Sequence, residues 1–457
     1  MNTMRRVLIS LILLINWLNP VYSYELVLPK DKKNIVDTNY AFFVGKANKN
    51  EHITINDENV YIAPNGAFAY TVKLKNGENR ILLKTDYNTH IYKFYKSEKQ
   101  EAIKPVTEEI PPYRVTVTND NTPLRNTPID YGMNRISHLF EGTNLIVNGE
   151  NNGFYRVKLS KDKEGWIAKD SVKKCKEGFF EPGKTFEPKF NTLNSETFKN
   201  GSSHTIEFNE KLPYTIEETE HEIFFKVYNP FVNEDSVYTI TAKKPKKYYY
   251  KTVLINGIYV FKVNSLPAHE NKTLENLTIT IDAGHGGTEN GAIGCLGDKE
   301  KDINLLIANE LKDILTQMGA CVVMTRECDG YISLDDRVKI ARENCSDIFV
   351  SIHLNSIPDI EMNIHKNRGT SVYYYNNNSK ELAKAVETSV TNAIKTRKDG
   401  VRTASFAVIR PTDYLGILVE NAYMTNPLDS MIYKSPSFPR DTAKGIAEGI
   451  LNYVNTR

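Results

Sequence analysis

Four side chains in the last third of the sequence could together bind a metal ion and move a proton. They are two histidines and two glutamates, widely spaced along the chain: His285, Glu300, His353 and Glu420. Two imidazoles and one carboxylate leave one position of a tetrahedral zinc ion free for water, which is the arrangement of catalytic rather than structural zinc. A second carboxylate beside that water could act as a general acid and base. The chemistry expected from this set is hydrolysis.

The first two of these side chains are predicted to stand where a strand ends and a helix begins. Apolar residues alternate over residues 277–281, which predicts a buried strand ending at Asp282, and the glycines around His285 permit turns that other residues resist. Glu300 follows Asp298, which suits a helix N-cap, and apolar residues then recur at helical spacing. Glu300 should therefore face the end of the strand.

Two further short strands are predicted from the apolar runs at residues 348–352 and 416–419. His353 is the last residue of the first strand, and Glu420 ends the second. Ligands bind open α/β sheets at the carboxyl ends of strands, so we expect these side chains to meet there. Taken singly, a histidine after a glycine-rich turn is more often a turn residue, and a glutamate in a first helical turn ordinarily offsets the helix dipole. Their combination favours a metal site.

Four ordered motifs carry a resemblance to a known family. They are Asp-Ala-Gly-His-Gly-Gly at 282–287, Glu-Lys-Asp-Ile-Asn-Leu at 300–305, Ser-Ile-His-Leu-Asn at 351–355 and Leu-Val-Glu-Asn at 418–421. With them, residues 271–457 resemble the zinc-dependent N-acetylmuramoyl-L-alanine amidases of bacterial cell walls, the type 3 family. The resemblance implies that His285, Glu300 and His353 bind zinc and that Glu420 is the catalytic glutamate.

The sequence departs from the family pattern in two places. Residues 414–416 stand where family members often carry proline before the last strand, and residues 421–423 stand where they often carry Gly-Phe. Both differences concern the shape of loops. We expect the chemistry to be unaffected.

Length and composition favour a multidomain protein. The chain has 457 residues, 40% hydrophobic and 25% charged, with a formal net charge of +2. This length suggests about three domains. So small a net charge implies neither nucleic-acid binding nor a broad membrane-surface role, although it is compatible with a local basic patch.

The first 23 residues have the pattern of a signal peptide. Arg5 and Arg6 precede an apolar run at residues 7–15, and Val-Tyr-Ser at 21–23 has the spacing of a cleavage site. The run is shorter than the roughly 20 residues that span a bilayer, which disfavours an uncleaved anchor. We expect cleavage after Ser23 and an exported protein without a transmembrane segment, in the periplasm or in the cell wall and extracellular space.

Three β-rich modules are predicted upstream of the catalytic region. Period-two patterns and Asn-Gly turns over residues 24–98 predict a small all-β sandwich. It resembles the Ig-like modules of bacterial surface proteins and is most simply a spacer, followed by a charged linker at residues 99–112. Residues 113–174 resemble the bacterial SH3-like barrel, with Trp166 either in a peptide groove or in the core. Residues 175–270 are again strand-like and faintly resemble AMIN-type targeting modules.

The catalytic region, residues 271–457, alternates strands and helices, among them a helix that Ser333 opens with a capping-box pattern and a helix over residues 380–394. This pattern predicts an α/β domain with a mainly parallel sheet that is covered on both faces. Residues 356–368, which follow the second histidine, are few and include Pro358 and several polar side chains, and short helices are marginal without packing. We therefore expect an open site that works without an activator, with the β modules raising the local concentration on the wall.

A basic run and the cysteines have more than one interpretation. Residues 243–251 combine lysines with three tyrosines, which predicts either a solvated hairpin end or a contact with anionic wall polymer. The five cysteines lack the paired spacing of a structural zinc site. Cys321 is predicted to be a buried thiol because it lies in an apolar strand. A metal role for Cys295 is the less favoured alternative.

The site residues predict a hydrolase that uses Zn²⁺, and the family resemblance implies that it cleaves the amide between N-acetylmuramic acid and L-alanine in peptidoglycan. Peptidoglycan is the expected partner, and no nucleic acid is expected. Two alternatives stay open. One is a non-catalytic cell-wall binding protein, and the other is a different zinc peptidase or deacetylase of peptidoglycan.

Overall fold

The computed structural model describes residues 24–97, 106–175, 188–198, 200–266, 273–356 and 367–456. The predicted signal peptide and residues 99–105 of the predicted linker lie outside these ranges. Within the ranges, no helix is long and apolar enough to cross a membrane.

The first unit consists of two sheets that share one apolar core. Its strands are β1 (Tyr24–Leu28), β2 (Lys33–Val36), β3 (Tyr40–Ala47), β4 (Thr54–Ile55), β5 (Glu58–Asn59), β6 (Ala67–Lys73), β7 (Gly77–Lys84) and β8 (Thr89–Lys96). The sheet orders are β1-β3-β6 and β2-β8-β7-β4-β5. Phe43, Ile55 and Phe68 are fully buried between the sheets. The unit is a β domain, and the finer Ig-like assignment stays a prediction.

The second unit is a single seven-stranded sheet in the order β11-β10-β14-β13-β12-β9-β15. Its strands are β9 (Glu108–Val117), β10 (Thr122–Arg125), β11 (Arg135–Leu139), β12 (Asn144–Asn151), β13 (Phe154–Lys158), β14 (Glu164–Ala168) and β15 (Val172–Lys174). Residues 108–112 were expected in the linker but belong to β9, because Glu108 pairs with Glu150 and Ile110 packs on the core. Trp166 is half-buried.

The third unit has a four-stranded sheet, β16-β17-β22-β21, and a three-stranded sheet, β18-β19-β20. Its strands are β16 (Phe190–Phe198), β17 (Gly201–Phe208), β18 (Tyr214–Glu218), β19 (Glu222–Tyr228), β20 (Val237–Lys243), β21 (Tyr248–Ile255) and β22 (Ile258–Ser265). One apolar cluster runs through the second and third units. At their contact Phe140 stacks on Tyr214 with ring centroids 5.6 Å apart. The two units therefore share a core.

The tyrosines of the basic run at residues 243–251 fit neither of the two interpretations, a solvated hairpin end or a contact with anionic wall polymer. Tyr248 and Tyr250 are buried, and Tyr249 Oη donates to Asp347 Oδ1 at 2.7 Å. Lys247 Nζ donates to the carbonyl of Val454 at 2.7 Å. The tyrosines are neither solvated nor free to stack on a glycan, because this segment packs against the last domain.

The last unit is an α/β domain. Its elements are β23 (Thr278–Ala283), α1 (Glu300–Gln317), β24 (Cys321–Met324), α2 (Leu334–Glu343), β25 (Ile348–Asn355), β26 (Thr370–Tyr374), α3 (Lys380–Ile394), β27 (Lys398–Thr403), β28 (Leu415–Tyr423), α4 (Pro427–Tyr433) and α5 (Phe438–Asn455). The sheet order is β24-β23-β25-β28-β26-β27. The sheet is mixed, because β26 runs antiparallel to β28 while the other neighbours are parallel.

Helices cover both faces of this sheet. Helices α1, α3 and α5 pack on one face around a core that includes Ile281, Leu311 and Ile446. Helix α2 and a short 3-10 helix, Ala407–Ile409, pack on the other face around Phe349. Helix α3 has the predicted bounds of 380–394.

The predicted helix starts had different outcomes. Ser333 caps α2 as predicted, since its side chain accepts a hydrogen bond from the Asp336 amide at 3.1 Å. The predicted Asp298 cap of α1 is wrong. Lys299 occupies the N-cap position without a side-chain bond, and Asp298, one residue earlier, accepts from Lys434 Nζ at 2.7 Å.

The structure also corrects two strand ends and one thiol. Strand β25 continues through Asn355 and β28 through Tyr423, because the two strands stay paired up to those residues, so His353 and Glu420 lie inside strands. Cys321 is exposed, because it begins the edge strand β24. All five cysteines are free thiols.

The packing of α5 on α3 gives a test of the fold. A Cβ on Gly449 would lie 2.5 Å from the Cα of Val386. Replacing a helical glycine by alanine gains up to about 1 kcal/mol of helix propensity, but forcing atoms into a packed contact costs about 1–3 kcal/mol. We expect Gly449→Ala to lower the free energy of unfolding of the α/β domain, measured by chemical denaturation. The exposed neighbour Glu448→Ala is the control, and stability equal to or above this control would contradict the packing argument.

Candidate metal centre

The carboxylate of Glu300 lies between the two predicted histidines. Its Oε2 is 3.1 Å from His285 Nε2, and its Oε1 is 2.8 Å from His353 Nδ1. One possible ligand atom from each of the three side chains lies within 4.8 Å of the others. Within the described ranges this is the only cluster of three or more histidine, cysteine or acidic side chains with such spacing. The structure thus brings together all three residues predicted as ligands.

Hydrogen bonds hold the Glu300 carboxylate in place. Oε2 accepts from the Ala292 amide at 2.8 Å, while Oε1 accepts from the Leu354 amide at 3.2 Å and from Asn304 Nδ2 at 3.3 Å. The side chain is 5% exposed, and a buried carboxylate needs such partners. Burial raises the pKa of Glu300, but hydrogen bonds from His285 and His353 outweigh burial and place the pKa well below its usual range.

Two glycines leave the space that the three side chains occupy. A Cβ on Gly284 would lie 2.2 Å from Cε1 of His353, and a Cβ on Gly291 would lie 2.4 Å from Oε2 of Glu300. Gly291 has a φ of +67°, which favours glycine. His285 itself has a φ of 59°, uncommon for a residue other than glycine. The backbone conformation of the turn after β23 therefore depends on the side chains of the site as well as on the local sequence.

Two buried arginines, which the sequence analysis missed, hold that turn. Arg337 donates to Asp282 Oδ1 at 2.6 Å and to the carbonyl of His285 at 2.9 Å. Arg326 donates to the carbonyl of Gly284 at 3.0 Å. One sequence signal could have identified Arg337. It lies four residues before Ala341 and therefore shares the buried face of α2 with it. An arginine on the apolar face of a helix indicates a buried partner.

Asp282, expected only to end the strand, is a buried hub of hydrogen bonds. Besides Arg337, it accepts from Thr325 Oγ1 at 2.7 Å and from Ser351 Oγ at 2.7 Å. These donors come from β25 and from the residues after β24, on either side of β23. Asp282 therefore ties the strand that leads to His285 to both of its neighbours.

Glu420, the predicted catalytic residue, lies next to His353 in the register of β28 and β25. Its Oε2 is buried and has no hydrogen-bond partner among the residues that the structure describes. Burial, and then the charge of Glu300, raises the pKa of Glu420 well above its usual value. Two imidazoles, a fixed carboxylate and an adjacent unpartnered carboxyl oxygen fit a metal ion with a proton-transfer group beside it.

Cys295 has no place in this cluster. It is buried among apolar residues of the first unit and the α/β domain, and burial raises the pKa of its thiol to about 12. A buried protonated thiol is an inert apolar group. The prediction of an open segment after His353 stays a prediction, because residues 357–366 lie outside the described part of the chain.

An α/β domain that carries this cluster fits the class of metal-dependent hydrolases. The family model described as N-acetylmuramoyl-L-alanine amidase matches residues 279–452. The protein YqiI of Bacillus subtilis is 35% identical over 186 residues, which are 40% of this chain and 87% of that protein. The chain belongs to the N-acetylmuramoyl-L-alanine amidase family.

Other relatives match over the same region. The N-acetylmuramoyl-L-alanine amidase LytC of Bacillus subtilis is 36% identical over 180 residues, which are 38% of this chain and 35% of LytC. In the solved amidase AmiC2 of Nostoc punctiforme the identity is 36%, and the alignment covers 41% of this chain and 100% of that one with a TM-score of 0.37. The predicted family and enzyme class, a peptidoglycan amidase, are confirmed. The individual roles of the four site residues stay predictions.

The space left by Gly284 can be tested. In Gly284→Ala the new methyl group would displace the ring of His353, so we expect weaker binding of a divalent metal ion by at least about tenfold, the usual scale for disturbing a ligand's support. Metal titration of the apoprotein measures the effect. Gly330→Ala is the matched control, because a Cβ there meets nothing within 4 Å. Equal affinity of the two variants would show that His353 is not a ligand in this position.

Proposed function

We propose that this chain is an exported zinc amidase that hydrolyses the bond between the lactyl group of N-acetylmuramic acid and L-alanine in peptidoglycan. The observation that carries the proposal is the convergence of His285, Glu300 and His353 beside Oε2 of Glu420, which has no hydrogen-bond partner among the described residues. Family membership supports the substrate class. The signal-peptide pattern of residues 1–23 supports export.

His285, Glu300 and His353 would hold the zinc ion. A bound zinc ion polarises a carbonyl and makes water more acidic. The three residues would hold the ion in a defined place, because backbone amides of Ala292 and Leu354 donate hydrogen bonds to the Glu300 carboxylate. His353 lies in β25, which pairs with β23 and β28, so the backbone that carries its ring is held in place.

Glu420 would transfer the proton. As a carboxylate it accepts a proton from the water that attacks the amide carbonyl, and as a carboxylic acid it returns that proton to the nitrogen of L-alanine as the C–N bond breaks. One residue can serve both steps because its Oε2 has no other hydrogen-bond partner in the part of the chain that the structure describes.

Mass spectrometry of digested peptidoglycan tests the bond that is cleaved. An amidase releases intact peptide stems that begin with free L-alanine and leaves glycan with unsubstituted lactyl groups. Cleavage inside the stems would identify a peptidase, and loss of acetyl groups alone would identify a deacetylase. Unchanged peptidoglycan with a protein that sediments with it would identify a binding protein. Each of the last three results would contradict the proposal.

We expect His285→Ala and His353→Ala to lose both zinc and activity, because a site with two protein ligands binds zinc weakly. Elemental analysis of the purified, folded variants and a peptidoglycan digestion measure the two properties. His221→Ala, a change of an exposed histidine in the third unit, is the control. Stoichiometric zinc with full hydrolysis in either ligand variant would show that the assignment is wrong.

Glu420→Gln should separate zinc binding from turnover. The substitution keeps the shape of the side chain and removes the proton-transfer group, so zinc should remain while turnover falls by about 10² to 10⁴. Steady-state rates on soluble muropeptides and the zinc content decide the outcome. The exposed Glu448→Gln serves as the control. Turnover that matches the control would remove Glu420 from the mechanism.

A further inference from the structure

Three arginines meet where the second β unit touches the α/β domain. Arg125 ends β10, Arg135 begins β11, and Arg410 directly follows the 3-10 helix Ala407–Ile409. We call these three side chains the arginine cluster. None of them belongs to the candidate metal centre.

The two units approach each other closely at this place. Tyr375 Oη donates to the carbonyl of Gly132 at 3.4 Å. A Cβ on Gly132 would lie 2.3 Å from the Cβ of Ser405, so only glycine permits this contact. The cluster is therefore assembled from both units and exists only when they are in contact.

Each arginine of the cluster has an unused donor. The Nε atoms of Arg125, Arg135 and Arg410 are buried and lack a hydrogen-bond partner within the described ranges, and so does the hydroxyl oxygen of Ser405. Arg125 is only 5% exposed. Leaving a buried donor of a charged group without a partner costs free energy. Four such atoms at one junction indicate a missing acceptor.

The carboxylates near the cluster do not balance its charge. Asp130 pairs with Arg125, but its side chain is 80% exposed. Asp335 acts electrostatically on the cluster from the exposed first turn of α2. The neighbouring pair of Arg342 and Asp413 is neutral as a whole. Among the described residues, three guanidiniums thus face two carboxylates, those of Asp130 and Asp335, and both carboxylates are in contact with solvent.

The pKa values of neighbouring groups support the view that the three charges act on one small volume. Burial of the ring, followed by the charges of Arg135, Arg410 and Arg125, lowers the pKa of His138 to about 3. Burial, followed by Arg410 and Arg125, lowers the pKa of Arg135 itself. Because His138 is neutral, its Nε2, 3.2 Å from an Nη of Arg135, offers an acceptor but no negative charge.

We propose that the arginine cluster binds a phosphate-type oxyanion. Guanidinium groups match the spacing of phosphate oxygens, and hydrogen bonds between them are charge-assisted and therefore strong. A phosphate between the two units would offer acceptors to guanidinium donors of this cluster, and it would supply negative charge. Because these donors come from both units, the bound anion would join the second β unit to the α/β domain.

The proposed site is separate from the amidase chemistry. Tyr375 and Arg410 lie near the end of the sheet at which β28 begins. There Leu415 of β28 pairs with Ile348 of β25. His353 and Glu420 lie towards the other end of the same two strands. The anion is therefore not the substrate of the metal centre, and the proposal does not depend on the proposed function.

Thermal unfolding of the full chain tests the proposal, with inorganic phosphate compared against chloride at equal ionic strength and pH. We expect saturating phosphate to raise the apparent Tm of the unaltered protein by at least about 2 °C. The rise should be absent in Arg135→Gln and Arg410→Gln. It should be kept in Arg440→Gln, which changes an exposed arginine of the same domain. Phosphate acting at the metal centre would stabilise all four proteins equally.

Calorimetric titration with phosphate supplies a second measurement. Arg410→Lys keeps the charge but loses the planar fork, so its Kd for phosphate should be at least about tenfold higher, even if the glutamine variants do not fold. Glycerol phosphate is a further probe: binding of both ligands indicates a phosphate group carried by a larger molecule, and binding of inorganic phosphate alone indicates the free ion. Either result supports the site. No binding, equal stabilisation of every variant, or stabilisation by acetate but not phosphate would overturn it.

Discussion

The buried carboxylate of Glu300 is the constraint on which the α/β domain is built. A carboxylate removed from water must be paired, and here the pairing groups are two imidazoles and two backbone amides. One amide precedes α1 and the other lies in β25, so the helix and the strand must keep a fixed distance. The arrangement of side chains that could bind a metal ion is thus the same arrangement that provides the Glu300 carboxylate with its partners.

A second layer of buried polar contacts transmits this constraint through the sheet. Asp282 joins β23 to both neighbours, and Arg326 and Arg337 hold the carbonyl groups of the turn that carries His285. The ion pair of Arg337 and Asp282 is almost wholly buried, so removing one partner would leave an uncompensated charge. This network lets a residue with a positive φ remain fixed at the site.

The sequence predicts local features better than relations between distant segments. The motifs around His285, Glu300 and His353 identify the region that forms the cluster, and the bounds of α3 follow from its own apolar spacing. The exposure of Cys321 depends on which strand lies at the edge, and the fate of residues 243–251 depends on packing between units. Neither the exposure of Cys321 nor the packing of residues 243–251 can be predicted from a short stretch of sequence. Arg326 was missed for the same reason, since its partners lie on other elements.

The first β unit, whose simplest interpretation was a spacer, has a closer relation to the site. Alanines of this unit pack around Cys295 and Tyr423, and Asn65 Nδ2 donates to Ser430 Oγ at 3.0 Å. Cys295 lies in the segment between two of the candidate ligands, and Tyr423 ends the strand that carries Glu420. A spacer tethered only through its chain would leave these apolar side chains in water, at a cost of about 25 cal/mol per Å² of exposed apolar surface. Their burial attaches the unit to the frame of the metal centre, so its position and that of the candidate ligands are physically linked.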